Sequence, residues 1–399
     1  MTGATAEVDQ PGDAPAVWLL ALGQTLGFAT LLYMFGALIV PLEQATGWSK
    51  AALSLGPTTA LVVSAMAAPF MGRLVDKGFG AELLSGGAML GGIAVAGLSL
   101  VTSQIGWIAV WAVVGLAHSA SLYDVCFAFL TRRLGVGARA AIIRATLLAG
   151  FASTIAFPAG AILSAHFGWT GAVLVFGAVQ VLVTAPVNWY AGFRLRRRER
   201  VGQQPTPTPP GMLSKAVRKP QFWLLVAVFA LCWMNHAVFF TYFIPIFTEL
   251  GAPPGVAVAA AACVGPAQFA GRLLLMFYES RFTAHGATAV AIVMFVVASL
   301  VLLAPGASIW LIFAFALLQG SGIGLMSILR PVLIAEVMGR EGFGAIAGAI
   351  AMGPLLAIAA APLVGAGLLG LGGAKALIAG ALAMAVTATV LAAVLRRVR

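Results

Sequence analysis

Twelve stretches of this chain are long and apolar enough to cross a lipid bilayer, and no other feature narrows its fold as far. A crossing helix needs about 20 mostly apolar residues, because each residue rises about 1.5 Å through a hydrocarbon core of about 30 Å. Approximate runs of that length are 17–41, 51–71, 83–103, 107–129, 143–164, 170–192, 222–247, 256–277, 287–304, 307–329, 343–366 and 374–395. We number them spans 1 to 12. None alternates with period 2, so a transmembrane barrel is not supported. Span 1 follows Glu7, Asp9 and Asp13 rather than basic residues and exceeds a signal-peptide core in length, so it is expected to stay in the membrane.

Composition agrees with that reading. Apolar residues make up 61% of the 399 and charged ones 9%, whereas soluble domains are roughly 45–50% apolar and about 25% charged. Such a chain has too little polar surface for a soluble enzyme, a disordered segment or a coiled coil. Cys126, Cys232 and Cys263 all lie inside apolar runs without metal-ligand spacing, and they read as small buried hydrophobes. The chain lacks a Gly-x-x-x-x-Gly-Lys-Ser/Thr loop, a Ser/His/Asp set and a metal-binding cluster, so no enzyme activity, cofactor or metal is expected, nor direct drive by ATP.

The net charge is +11, and its placement matters more than its size. With the N-terminus inside, the cytoplasmic segments receive Arg73, Lys77, Arg132, Arg133, Arg139, the block from Arg194 to Arg200, Lys215, Arg218, Lys219, Arg281, Arg340, Arg396, Arg397 and Arg399. The external loops receive Lys50 and Lys375. Lysine and arginine collect on the cytoplasmic side of membrane proteins, so both termini are expected inside a cell (inner or plasma) membrane, and nucleic acid is not needed to explain the charge. Residues 194–219 break the apolar pattern with Arg-Leu-Arg-Arg-Arg-Glu-Arg, Pro205, Pro207, Pro209, Pro210 and a second basic group. This reads as an extended linker touching anionic headgroups. The expected organisation is a tail at 1–15, six spans in 16–193, the linker, six spans in 220–395 and a tail at 396–399.

The halves match at a constant offset of 204: Pro41 and Gly47 with Pro245 and Gly251, Gly135 with Gly339, Pro158 with Pro362, Gly168 with Gly372. Six spans return the chain to the side it left, so the repeat is parallel. At this point the chain resembles the major facilitator superfamily over essentially its whole length. The link between spans 2 and 3, Gly72-Arg73-Leu74-Val75-Asp76-Lys77-Gly78, is similar to that superfamily's loop signature. The resemblance implies an all-α fold of twelve transmembrane helices in two six-helix bundles, alternating access, and spans 1, 4, 7 and 10 lining a central cavity. It also implies that Asp76, with Arg73, latches the halves on the cytoplasmic side. A closer resemblance, to the monocarboxylate-transporter-like and oxalate/formate-antiporter branch, rests on Gly47-Trp48-Ser49, on Tyr123-Asp124 and on Gln268-x-x-x-Arg272. In that branch the span 8 arginine binds the substrate carboxylate.

Ionisable groups within spans are costly and each needs a reason. Asp124 and Arg144 are each ten residues from Leu134, which puts them at one level of a helix hairpin. Three readings stand: a neutralising pair, Asp124 as a proton carrier, or Asp124 as a gate partner of a cation such as Arg330. Asn235 and His236 sit mid-span 7 as candidates to contact the substrate, and His236 reads either as a neutral ring hydrogen-bonded to Asn235 or a carbonyl, or as a protonation switch. His118 reads as helix packing. Arg330 precedes Pro331 near the cytoplasmic end of span 10 and suits a gate. Tyr123 and Gln268 could orient a carboxylate on Arg272, and Tyr33 could wall the cavity. The expectation is a secondary transporter, functional as a monomer, moving a small organic anion with a proton. The alternative cargo is a larger, partly aromatic solute such as a riboflavin-like vitamin or a drug.

The orientation has a direct check. Cysteines placed at Gln204 and at Ser308 should react with impermeant thiol reagents from opposite sides, Gln204→Cys from the cytoplasm. Labelling of Gln204→Cys in intact cells would reverse the topology.

Overall fold

The computed structural model describes residues 13–197, 209, 211–278, 283–304 and 308–398. The tail at 1–12, most of the linker including Gln204, Glu279, Arg281 and Arg399 therefore lie outside the described residues. All described secondary structure is helical. Among the described residues ten helices are long and apolar enough to cross a membrane, and two of these, Ala138–Arg196 with 59 residues and Phe343–Arg397 with 55, are too long for one crossing. The first breaks at Gly168, where φ is 67° and ψ is 176°. The second breaks at Gly372 and Gly373, the latter with φ 65°. Each therefore crosses twice, and the chain has the twelve-span all-α architecture.

These breaks give the offset of 204 its physical content. Gly47 and Gly251 have φ of 70° and 90°, and Gly135 and Gly339 have φ of 52° and 85°. A positive φ is open to glycine and strained for nearly every other residue. The repeat thus preserves the places where a helix must turn back. Prolines behave otherwise. Pro57, Pro69, Pro158, Pro266, Pro354 and Pro362 are carried inside helices without ending them. Pro245 does lie beside a kink, at Tyr242 with φ −120° and ψ 16°. A proline removes one backbone donor and crowds the preceding turn, which bends a helix without ending it when neighbours serve the freed carbonyl.

The chain divides into two compact units. The first runs to Leu213 and takes in Arg340–Ala349, the opening of span 11; the second holds Ser214–Gly339 and Ile350–Arg399. In the first, Trp107 and Trp111 of span 4 lie over Gly56 of span 2, and Trp107 Nε1 donates to the Leu53 carbonyl at 2.9 Å. Gly115 meets the backbone of Ala60, and Gly92 of span 3 meets Gly177 of span 6. In the second, Phe239, Phe243 and Phe247 pack with Phe315. Gly320 and Gly324 of span 10 rest on the backbone of Val264 and Gln268 in span 8. Lipid offers apolar side chains no penalty, so dispersion from close backbone approach holds such helices together. Met66, Leu182, Trp310 and Leu363 stay exposed, as a lipid-facing surface requires.

Gly320 is the sharpest test of that packing. A Cβ there would lie 2.5 Å from the Val264 carbonyl oxygen and 2.7 Å from the Ala267 Cβ, whereas one at Gly367 would meet nothing within 4 Å. Both Gly→Ala changes gain about 0.5–1 kcal/mol in helix propensity, but overpacking at Gly320 costs about 1–3 kcal/mol. Gly320→Ala should lower the unfolding temperature in detergent, and Gly367→Ala should leave it unchanged or raise it.

Candidate functional site

In the first unit, span 4 is not one helix. Gln104–Ser121 and Tyr123–Leu134 are separated by Leu122, whose φ of −94° and ψ of −160° are extended. A break inside a membrane leaves backbone groups without helical partners, and these must be met by side chains. Gln24 of span 1 does so, its Nε2 donating to the Ser121 carbonyl at 2.9 Å. The second half-helix starts with Tyr123 and Asp124 in its first turn. A carboxylate there lies at the positive end of the helix dipole.

Around this break the side chains form a connected group. His118, in the last turn before the break, has its Nδ1 at 2.9 Å from Ser64 Oγ of span 2. Phe28 of span 1 stands edge-on to His118, with ring centroids 6.3 Å apart, and lies 4.4 Å from Tyr123. Tyr123 stacks on Phe127 at 4.6 Å. Arg144 belongs to Ala138–Ala149, the helix that packs against Tyr123–Leu134. Tyr33 closes a π-helical turn, Ala29–Tyr33, and packs against Ala29, Ala152 and Ala156. A second π turn, Gln180–Thr184, lies in span 6. The Thr30 hydroxyl donates to Gln180 Oε1 at 2.9 Å, so the two widened turns are bonded to each other. Such turns recur at functional sites.

Asp76 ends span 2, and its carboxylate accepts from the backbone N–H of Gly344 (2.8 Å to Oδ1) and of Ala345 (2.8 Å to Oδ2). Both amides lie at the start of the span 11 helix, within the stretch that belongs to the first unit. Gly72 allows the approach, since a Cβ there would strike the Gly344 carbonyl. Two charge-assisted bonds to a helix N-terminus join Coulombic and dipolar attraction. Arg73 stands exposed in the last turn of span 2.

The second unit holds the remaining sequence-selected residues. Arg272 is buried in span 8, and its Nη2 donates to Gln268 Oε1 at 3.4 Å, one helical turn away. Glu279, seven residues further along the chain, lies outside the described residues. Arg330 is buried near the end of span 10, its guanidinium 5.4 Å from the centre of the Trp233 ring of span 7. Such a contact stabilises a cation without neutralising it.

Asn235 and His236 are adjacent but part company. Asn235 is wholly buried; its Nδ2 donates to the Ala381 carbonyl of span 12 at 2.8 Å, and its Oδ1 accepts from Gln319 of span 10 at 2.9 Å. It ties three spans together and gives His236 no bond. His236 lies 5.9 Å from the Phe240 ring, and its Nδ1 is buried with no partner among the described residues. Among the described residues no three His, Cys, Asp or Glu side chains form a group able to hold a metal.

Ser64, Gln24, Thr30, Gln180, Gln319 and Trp233 were not singled out from the sequence. The amides carried a usable signal, since an uncharged polar residue inside an apolar run also needs a partner. Trp233 carried none, being one of many aromatics in such runs.

The Asn235–Gln319 bond separates a packing role from a binding one. Asn235→Ala strands a buried amide and should cost about 1–3 kcal/mol, while removing both partners should be far milder. Expected in detergent melts is a clear loss for Asn235→Ala and partial recovery for Asn235→Ala with Gln319→Leu. Full stability of Asn235→Ala with transport abolished would instead place Asn235 at the substrate.

The family model described as the Major Facilitator Superfamily matches residues 18–306. A crystal structure of a major facilitator transporter, FucP, in the outward conformation covers 96% of this chain and 98% of its own, with a TM-score of 0.71 at 15% identity. A single-site variant of the E. coli fucose:proton symporter FucP gives a TM-score of 0.68 at 14% identity, covering 96% of this chain and 98% of its own. No curated protein sequence matches the chain.

Proposed function

Because the chain belongs to the Major Facilitator Superfamily, and is therefore a multi-pass membrane transporter of small molecules rather than an enzyme, we propose that it moves a small organic anion of the monocarboxylate kind together with a proton. The observation that carries this reading is Arg272, buried in span 8 with Gln268 bonded to it at 3.4 Å. Arginine keeps its charge at any physiological pH and presents a planar fork of donors matched to a carboxylate. Gln268 is neutral, so it directs the guanidinium without cancelling it. On this reading Arg272 and Gln268 receive the carboxylate, as in the branch with which the chain shares Gly47-Trp48-Ser49 and Tyr123-Asp124.

Proton coupling is the coupling named for the fucose symporter that shares the fold. In this chain the groups suited to it are Asp124, at the start of a half-helix, and the histidines His118 and His236. Asp76 with Gly344 and Ala345 serves as the gate, and Arg73 and Arg330 assist it. The six spans in 16–193 and the six in 220–395 act as the two moving halves, with both termini in the cytoplasm of the inner or plasma membrane, as the lysine and arginine placement favours. The second reading, a larger partly aromatic solute, draws on the Phe28, Tyr123 and Phe127 rings, which form one contiguous aromatic face.

Arg272→Lys distinguishes the readings. Lysine keeps the charge and loses the two-point contact, so carboxylate uptake into proteoliposomes should fall roughly tenfold or more while protein yield is unchanged. Undiminished transport of every carboxylate by a well-folded Arg272→Lys protein would overturn the anion reading and favour the aromatic solute.

A further inference from the structure

At one end of the second unit, spans 7, 9, 10 and 12 enclose a cavity of about 450 Å³, well away from Arg272 in sequence and on different walls. That volume is within the range of sites that hold small molecules, roughly 300–1,000 Å³. Its depth is apolar, formed by Val228, Ile292, Leu333 and Ala392. Its mouth is basic, formed by Arg396 and Arg397 at the end of span 12.

The mouth is held in place. Leu395 is buried, and Gln221 Nε2 of span 7 donates to the Val398 carbonyl at 2.8 Å, so the last turn of span 12 is fastened beside the start of span 7. His285, also on the wall, lies 3.3 Å from a carboxylate oxygen of Glu336 in span 10. Two arginines in a final helical turn would by themselves only offset the helix dipole. That role asks for no apolar slot beneath them.

We propose that this cavity binds an anionic phospholipid, its phosphate against Arg396 and Arg397 and the first part of an acyl chain in the slot lined by Ile292, Leu333 and Ala392. Charge complementarity selects an anion. The apolar depth selects an amphiphile over a soluble phosphate. The ends of four membrane spans surround the cavity, which is the level at which headgroups lie. The site is separate from the transport reading above and does not depend on which solute is carried.

The test uses the full-length purified protein, delipidated in detergent and examined by native mass spectrometry with added phosphatidylglycerol, phosphatidylcholine or glycerol phosphate. Wild type should retain one phosphatidylglycerol in strong preference to phosphatidylcholine. Each basic residue near a headgroup supports binding severalfold, so R396Q/R397Q together should weaken phosphatidylglycerol about thirtyfold. Ala392→Phe, which fills the slot and leaves both arginines, should also release the lipid, and Lys375→Gln, outside the cavity, should not. Equal retention of the two lipids by wild type, an unchanged preference in R396Q/R397Q, or displacement of phosphatidylglycerol by equimolar glycerol phosphate would each overturn the proposal.

Discussion

Every backbone N–H and C=O that a helix gives up inside the membrane must be met by another protein group, and the arrangement of this molecule follows from how that is done. Within hydrocarbon there is no water to accept the exchange, so a departure from α geometry is tolerated where a side chain or a turn-forming glycine serves it. Leu122 interrupts span 4, and Gln24 takes the Ser121 carbonyl. The π turns of spans 1 and 6 are bonded through Thr30 and Gln180. Two of the helices starting late in the chain find acids at their N-termini: Asp76 for Gly344 and Ala345, and Glu249 for Ala374, whose N–H lies 2.8 Å from Oε1. Of the residues that serve these departures, Asp76 was marked in the sequence, whereas Gln24, Thr30, Gln180 and Glu249 were not.

The same constraint explains the economy of charge. Asp124 sits in the first turn of a half-helix, where the partial positive charge of the helix start favours a carboxylate. Arg330 is held by the face of Trp233, and Arg272 is directed by the oxygen of Gln268. These are orienting contacts. Around them the spans are joined by glycine against backbone, as at Gly115 with Ala60 and Gly271 with Ser321. Surfaces of that kind are smooth, and they fix distance between helices more strictly than rotation about them.

The fold could be read from the chain because run length and glycine spacing are dictated by the bilayer and by backbone sterics, which act locally. Gly168 and Gly372 marked the breaks that split two very long helices, and Asp76 was marked by its loop. Gln268 and Arg272 were legible as a pair because one helical turn brings them together whatever surrounds them. The break at Leu122 was not, since no glycine or proline stands beside it and the side chain that serves it, Gln24, lies ninety-seven residues before Ser121. Prolines carry no comparable local signal, because whether a lost bond ends a helix depends on neighbours rather than on the proline. Asn235 looked like the natural companion of His236, yet its partners are on spans 10 and 12. Adjacent helical residues point about 100° apart, so sequence neighbours are poor candidates for a shared bond.

That last point bears on how a transporter of this kind can carry polar groups at all. Asn235 and His236 are one residue apart, but only the first is locked between helices; the second faces Phe240 with an unmet Nδ1 among the described residues. A locked amide adds rigidity to a wall, and a ring with a spare nitrogen can exchange a partner as its surroundings change. On the first unit the same division separates Gln24, tied to a carbonyl, from His118, tied to a hydroxyl that can act as donor or acceptor. Each unit thus sets one committed polar contact beside one adaptable one. A wall that must stay intact while its lining changes partners requires both kinds, and the committed member is the one whose loss should register first as instability.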